Sequence, residues 1–222
     1  MKIIADILSV PDISRVTQTE KNLMMARMAI RSSRCMAGLA LGVASAVLAA
    51  CAGAATIHAT PGGTNPLGAS WATPTSLTNA LAICTAADEI WLAEGGYTNN
   101  ATFSVGNDRA VYGGFTTSMS SRNERDWNVH PTVLNGNGQN LRVVTVSGTN
   151  VTLDGLVITN SSGAAAGGIA KSGAGALTLA NCRITGHSGT LGGKGCSFAD
   201  GSVLMTNCVV AGNTATTYGQ RG

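Results

Sequence analysis

Three stretches of the chain, residues 151–163, 177–189 and 203–215, repeat one pattern of alternating apolar and polar residues at intervals of 26 residues. Their sequences are VTLDGLVITNSSG, LTLANCRITGHSG and VLMTNCVVAGNTA. Each holds two short apolar runs separated by a polar corner. Alternation with a period of two predicts strands with one buried face, and the corner predicts a bend. Because no helical pattern separates the units, the repeat predicts stacked coils of a parallel β-solenoid.

Coils stacked at the inter-strand distance of about 4.8 Å turn equivalent positions into ladders that run along the stack. Asn181 and Asn207 are predicted to form a ladder at the corner, because asparagine tolerates left-handed backbone and its amide can bond to the next coil. Cys182 and Cys208 are predicted to form an inward-facing column with Leu156. Two states of these cysteines stay open: packed free thiols, which the leucine in the column favours, and a disulfide, which the stacking distance permits.

The segments before the repeat show similar short β-rich runs with less regular spacing: DEIWLA, RAVYGGF, PTVLNG and LRVVTVSG. The segment TSLTNALAICTAA instead predicts a helix, with Thr75 or Ser76 as its N-cap. Leu77, Leu81 and Cys84 share the apolar face of this helix. We expect it to cap the first coil, whose edge would otherwise expose unpaired backbone.

Charge divides the 222 residues into two parts. Up to Cys51 there are six basic and three acidic residues, which leaves eight of each in the remainder. A neutral remainder lacks the basic surface of a nucleic-acid-binding protein, so no nucleic-acid partner is predicted. With 44% hydrophobic and 11% charged residues, the chain is also too apolar to be disordered.

The first part of the chain has the features of an export signal. The basic stretch MARMAIRSSR precedes the apolar stretch CMAGLALGVASAVLAA, which is short and alanine-rich for a membrane span. Residues 24–54 are therefore predicted to be a signal peptide, and residues 1–23 are interpreted as an over-extended start or a disordered leader.

The apolar stretch ends in LAAC, which resembles the bacterial lipobox, where the cysteine becomes the lipidated first residue of the mature protein. Two interpretations stay open: lipidation at Cys51, which would be the chain's sole attachment to a membrane, and ordinary cleavage at a small-x-small site such as Ala52-Gly53-Ala54. Both predict a protein that is secreted or held at the cell surface or outer membrane.

An even number of cysteines follows this leader, and in an exported protein that number permits disulfides. These cysteines contain no CxxC pair, so a zinc site is not predicted. They are Cys84, Cys182, Cys196 and Cys208.

Five phrases, in the order in which they occur, resemble extracellular right-handed parallel β-helix proteins with pectin-lyase-like coils, including bacterial surface proteins related to the polymorphic outer membrane proteins. They are GASWATPTSLTNALA, ADEIWLAEGGYT, VYGGF, SRNERDWNVHPTVLNG and VTLDGLVITN, within residues 57–217. The resemblance implies an all-β fold, a right-handed parallel β-helix with a short N-terminal capping helix, preceded by the signal peptide. It implies secretion or surface display but no single activity, because this solenoid hosts lyases, hydrolases and adhesins.

The chain is accordingly divided after the signal peptide into a cap with the first irregular coils, regular coils of about 26 residues, and an end. Their bounds are 55–131, 132–217 and 218–222. Related proteins usually continue with more coils and an anchor, so the end is interpreted as truncated.

Residues suited to catalysis are sparse in the repeat. Its acids, Asp154 and Asp200, are interpreted as turn residues, because neither forms the carboxylate pair of a glycosidase or the oxygen cluster of a calcium site. The basic residues are scattered and expected at the surface: Lys171, Arg183 and Lys194. The histidines are isolated and expected at the surface or in turns: His58, His130 and His187. No catalytic residue, metal ligand or cofactor is predicted.

The densest charged phrase is RNERDW, at residues 122–127. The favoured interpretation is a loop fastened to the first coils by an arginine–carboxylate pair and a packed tryptophan. The alternative is a ligand surface, for which the candidates are Arg122, Arg125 and Trp127, with Arg183 on the repeat.

The predicted function is that of an exported, surface-displayed β-helix protein. We expect it to be non-catalytic and to act as an adhesin-like or glycan- or partner-binding passenger or stalk. One alternative is a polysaccharide lyase or glycoside hydrolase of the same fold. The other is a truncated, non-functional fragment.

Overall fold

The computed structural model describes residues 54–165, 167–189 and 195–215. The predicted leader up to residue 53, with Cys51, lies outside the described residues, as do Lys194 and the end at 218–222. Within the described ranges, no helix is long and apolar enough to cross a lipid bilayer.

β-Strands are the main regular secondary structure of the described chain. The strands are β1 (Thr56–Ala59), β2 (Glu89–Ala93), β3 (Gly95–Thr98), β4 (Phe103–Val105), β5 (Ala110–Phe115), β6 (Thr132–Gln139), β7 (Arg142–Val146), β8 (Val151–Asp154), β9 (Leu156–Ser161), β10 (Gly167–Lys171), β11 (Ala176–Ala180), β12 (Arg183–Thr185), β13 (Ser188–Gly189), β14 (Cys196–Phe198), β15 (Ser202–Thr206), β16 (Val209–Ala211) and β17 (Thr214–Ala215). An α-helix, α1, spans Leu77–Ile83, and a 3-10 helix spans Arg122–Glu124.

The strands form three larger sheets and a short pair, and every strand pairing in the described ranges is parallel. The first sheet has the order β1-β2-β5-β8-β11-β15, the second β3-β6-β9-β12-β16 and the third β4-β7-β10-β14, beside the pair β13-β17. The chain visits the sheets in turn, so each coil adds one strand beside its predecessor. This mostly-β arrangement of parallel sheets agrees with the predicted β-solenoid.

The regular coils pair in the 26-residue register that the sequence predicts. Leu177 lies between Val151 and Val203 in the first sheet, and Ile184 lies beside Ile158 in the second. Leu177 and Ile184 are 1% and 0% exposed, so these columns form the core. Burial of one such side chain stabilises the fold by about 1.5–3 kcal/mol relative to its exposure.

Helix α1 covers the core beside the first strands. Of the two N-cap candidates, Ser76 takes the role, and its Oγ accepts a hydrogen bond from the Asn79 N–H at 3.2 Å. Leu77, Leu81 and Cys84 are buried and belong to the main hydrophobic cluster. The helix contacts β1, β2 and β4, in agreement with a capping role.

The last described coil leaves inward-facing positions exposed. Met205 and Val210 continue the core columns of Leu179 and Ile184, yet they are 38% and 46% exposed. Cys208 is partly buried in the same coil.

Lys171 lies in the core, and its predicted surface position is wrong. It is 1% exposed and occupies an inward column between Val146 and Phe198. Its ammonium group donates to the carbonyl oxygens of Gly173 and, at 2.6 Å, Asp200. The aliphatic stem therefore packs in the core while the charge is satisfied by backbone oxygens at the coil corner.

His187 is likewise buried, at 1% exposure, and its predicted position at the surface or in a turn is wrong. Its Nε2 lies 3.0 Å from the carbonyl oxygen of Ile158, and its Nδ1 lies 2.8 Å from the hydroxyl of Ser161. Burial lowers the pKa of His187. A neutral ring satisfies both contacts if Nε2–H donates and Nδ1 accepts.

Candidate ligand-binding surface

Outward-facing side chains of the first sheet form a row that crosses successive coils. Register pairing places His58 beside Trp91, Trp91 beside Tyr112, and Tyr112 beside Asp154. The next position in the row is Ala180. The row is therefore aromatic in the first coils, acidic in the middle and small further on.

The loop between β5 and β6 lies against this row and contains the RNERDW phrase. Its 3-10 helix begins with a capping box in which Ser121 Oγ accepts from Asn123 N–H, and Glu124 accepts from the backbone of Ser121 and Ser120. The hydrogen bonds from the Ser120 and Ser121 backbone lower the pKa of Glu124. This element was not predicted, although Ser and Glu three residues apart are the known sequence signal of a capping box.

Arg125 holds the loop against the sheet through a bidentate ion pair with Asp154. The Nη1–Oδ1 and Nη2–Oδ2 distances are 3.1 and 2.5 Å, and the side chains are 10% and 12% exposed. Nη1 also donates to the carbonyl oxygen of Gly113 at 3.3 Å. This is the kind of arginine–carboxylate pair that the favoured interpretation of the loop expects.

Arg122 makes a second, more exposed connection to the same sheet. Its Nη1 donates to Glu89 at 2.6 Å and to the Tyr112 hydroxyl at 2.9 Å, and its side chain is 45% exposed. The Arg122 and Arg125 guanidinium carbons lie 4.7 and 5.2 Å from the centre of the Tyr112 ring. Partial burial raises the pKa of Tyr112, so its hydroxyl stays protonated at neutral pH.

Trp127 completes this group, with the Arg125 guanidinium 5.0 Å from its ring centre. The structure thus brings together three predicted candidates, Arg122, Arg125 and Trp127, and adds Glu89 and Tyr112, which the sequence analysis did not select. We call these five residues and Asp154 the arginine–aromatic cluster. Both of its guanidinium groups are paired with carboxylates. The cluster therefore holds the loop against the sheet and leaves little unpaired charge for a ligand.

An aromatic group continues the row beyond the cluster. Trp91 stacks on Phe115 with ring centres 4.6 Å apart, and His58 meets Trp71 edge-on at 4.5 Å. The Trp71 indole N–H donates to the carbonyl oxygen of Met119 at 2.7 Å. The rings therefore pack against one another and against the loop.

The corner ladder connects directly to the arginine–aromatic cluster. Asn207 donates its amide N–H to Asn181 at 2.7 Å, and Asn181 donates to Asp154 Oδ1 at 2.7 Å. Both asparagines have left-handed backbone, with φ of 51° and 53°. Asp154 therefore ends the ladder and also holds Arg125, a role beyond that of a turn residue.

Arg183 lies apart from this cluster, on the second sheet. It is exposed in a row between Val157 and Val209. The structure therefore does not bring Arg183 together with the other three ligand candidates.

The remaining candidates for chemistry are buried or dispersed. Ser161 and His187 form a hydrogen-bonded pair, but each is 1% exposed and therefore closed to a substrate. In the part of the chain that the structure describes, no group of three or more histidine, cysteine, aspartate or glutamate side chains is placed to hold a metal ion. Comparison of the chain with protein-family models, curated proteins and solved structures found no match.

Proposed function

We propose that the chain is an exported, surface-displayed parallel β-helix protein that acts without catalysis, as an adhesin-like or glycan- or partner-binding passenger or stalk. The observation that supports this most directly is the internal pairing of the arginine–aromatic cluster. Arg125 forms an ion pair with Asp154, and Arg122 forms one with Glu89. The charged groups that a lyase or hydrolase would direct at a substrate therefore hold the loop against the first sheet instead.

The coils are proposed to turn in the right-handed sense of the pectin-lyase-like proteins. Connections between parallel strands of one sheet are right-handed in about 98% of cases, because strand twist makes the other sense pack poorly. The described strands pair in parallel within each sheet, so this rule applies to the connections between them.

Export is supported by the basic and apolar leader, and the proposed attachment to a membrane is a lipid at Cys51. Mass spectrometry of the mature N-terminus separates the two forms. A modified Cys51 indicates a lipoprotein, whereas a free amine that begins after Ala54 indicates a secreted chain.

Small polar side chains on the outer faces of the coils suit a binding or display role. Thr152 and Thr178 are register neighbours, and the Ser104 and Thr145 hydroxyls lie 3.1 Å apart. Hydroxyl and amide groups of this kind bond to the hydroxyls of glycans without carrying charge. A glycan or a surface partner protein is therefore the proposed binding partner.

Catalysis is tested by incubating the full chain with a panel of acidic and neutral polysaccharides. Reducing ends report hydrolysis, absorbance of unsaturated products reports lyase activity, and retention on immobilised polysaccharide reports binding. We expect no turnover from the chain or from its Arg122→Ala variant. Turnover that disappears in Arg122→Ala but persists in the matched Arg183→Ala variant would overturn the proposal in favour of the enzyme alternative.

A further inference from the structure

Cys182 and Cys208 occupy equivalent positions on successive coils. Arg183 and Val209, which directly follow them, are register partners, so the two cysteine backbones lie one coil spacing apart, about 4.8 Å. Disulfides join Cα atoms separated by about 4.4–6.8 Å, so this spacing lies within their range.

The two thiols also have the same orientation. Cys182 Sγ lies 3.5 Å from the carbonyl oxygen of Leu153, and Cys208 Sγ lies 3.4 Å from that of Leu179, one repeat further on. A hydrogen bond links the two thiols. Because the two backbones already lie within disulfide range, rotation of the side chains can bring the sulfur atoms together. Neither Cys182 nor Cys208 takes part in a disulfide in this structure.

The environments of the two thiols differ in a way that assigns them different roles. Cys182 is 2% exposed, whereas Cys208 is partly accessible. The hydrogen bond from Cys182 lowers the pKa of Cys208 to about 6, against the opposing effects of burial and of Asp154. The same hydrogen bond and burial raise the pKa of Cys182, and burial raises that of neighbouring Cys196 to about 11. Cys208 is therefore the more acidic and the more accessible thiol of the pair, which suits it to attack first.

We propose that Cys182 and Cys208 form a dithiol that closes into an inter-coil disulfide by exchange with a small-molecule disulfide. The Cys208 thiolate attacks one sulfur of that disulfide, a mixed disulfide forms, and one small thiolate leaves. Cys182 then loses its proton and attacks the Cys208 sulfur, and the second small thiolate leaves and is protonated. The two cysteines are oxidised while one small disulfide is reduced to two thiols. This inference is independent of the proposed function.

The test uses the reduced full chain, incubated with oxidised glutathione at neutral pH and quenched with acid. The remaining free thiols are then blocked with iodoacetamide, and the chain is digested with trypsin. Trypsin cleaves after Lys171, Arg183 and Lys194, so Cys182 lies in peptide 172–183, and Cys208 lies with Cys196 in peptide 195–221. We expect a cross-linked pair of these two peptides, with fragment ions that place the bond at Cys208.

Cys196→Ser is the matched control, because the replaced residue shares the Cys208 peptide. We expect the cross-link to persist in Cys196→Ser and to disappear in Cys208→Ser. A cross-link through Cys196, or a glutathione adduct on Cys208 that never resolves in the native chain, would overturn the proposal. Neither result depends on the folding of the Cys208 variant.

Alkylation of the reduced chain gives a second readout of the assigned roles. At neutral pH we expect Cys208 to react with iodoacetamide at least about tenfold faster than Cys196, because the thiolate is the reacting form. Its rate should decline as the pH falls through about 6, where the Cys208 thiolate is protonated. Equal rates for the two cysteines would contradict the assignment of Cys208 as the attacking thiol.

Discussion

Asp154 is the residue at which the loop, the first sheet and the corner ladder meet. Its carboxylate accepts two hydrogen bonds from Arg125 and one from Asn181. Both members of the ion pair are nearly buried, so each depends on the other for compensation of its charge. The contribution of Arg125 should therefore exceed that of Arg122, which is half-exposed.

This difference predicts the stability of two matched variants. Arg125→Ala leaves a poorly solvated Asp154 carboxylate, and we expect it to lower the free energy of unfolding by about 3 kcal/mol. Arg122→Ala removes an exposed pair from the same loop, and we expect a loss of at most about 1 kcal/mol. Urea denaturation followed by circular dichroism measures both. Equal losses would contradict a structural role specific to Arg125.

The element that recurs through the coils is a corner with left-handed backbone and a side-chain hydrogen bond to the next coil. Besides Asn181 and Asn207, Asp108 and Asn150 form such a corner, with φ of 52° and 50° and a side-chain hydrogen bond of 3.0 Å. These corner residues lie 42 positions apart in sequence. The ladder is therefore not confined to the regular repeat.

The corner predicts different outcomes for two substitutions of Asn181. Asn181→Gly retains easy access to left-handed backbone but loses two amide hydrogen bonds, which contribute about 0.5–1.5 kcal/mol each. Asn181→Ala adds the left-handed strain of about 1–2 kcal/mol. We expect both variants to unfold at lower urea concentration than the unmodified chain, alanine before glycine. A glycine variant as stable as the unmodified chain would show that the amide ladder contributes nothing.

The sequence predicts the elements that follow its 26-residue period and misses those that depend on longer or irregular intervals. The columns of Leu177 and Ile184 and the N-cap at Ser76 could be read from local patterns. The Asp108–Asn150 corner could not, because the coils that contain it have a different length. Lys171 was misplaced for another reason: alternation with buried Ile169 places it inward, but one of its acceptors, the Asp200 carbonyl oxygen, lies 29 residues away and is brought near only by the folded coils.

For the candidate surface, the sequence indicated an arginine–carboxylate pair in the loop but not which residues of the sheet the loop contacts. The RNERDW phrase indicated an arginine–carboxylate pair, yet the acceptor, Asp154, lies 29 residues from Arg125 and belongs to another coil. Tyr112 was not selected because its role depends on the two guanidinium groups that the loop folds over its ring. Packing across coils, rather than sequence spacing, creates these contacts.

At the scale of the whole molecule, the described chain is a stack of parallel coils in which each coil contacts mainly its neighbours. Such a stack derives its stability from its own coils and from the interfaces between adjacent ones. The outer surface can then vary while the inner columns keep the fold. Display and binding are compatible with this division, because the outer side chains are not needed to fill the core.

The 26-residue register of the coils can be measured by methyl NOE spectroscopy of the full chain with labelled isoleucine, leucine and valine methyl groups. We expect NOEs between Leu153 and Leu179 and between Ile158 and Ile184, pairs that are 26 residues apart and adjacent across neighbouring strands. Absence of both contacts in the folded chain, or NOEs that require a shifted or antiparallel pairing of these strands, would contradict the stacked parallel coils.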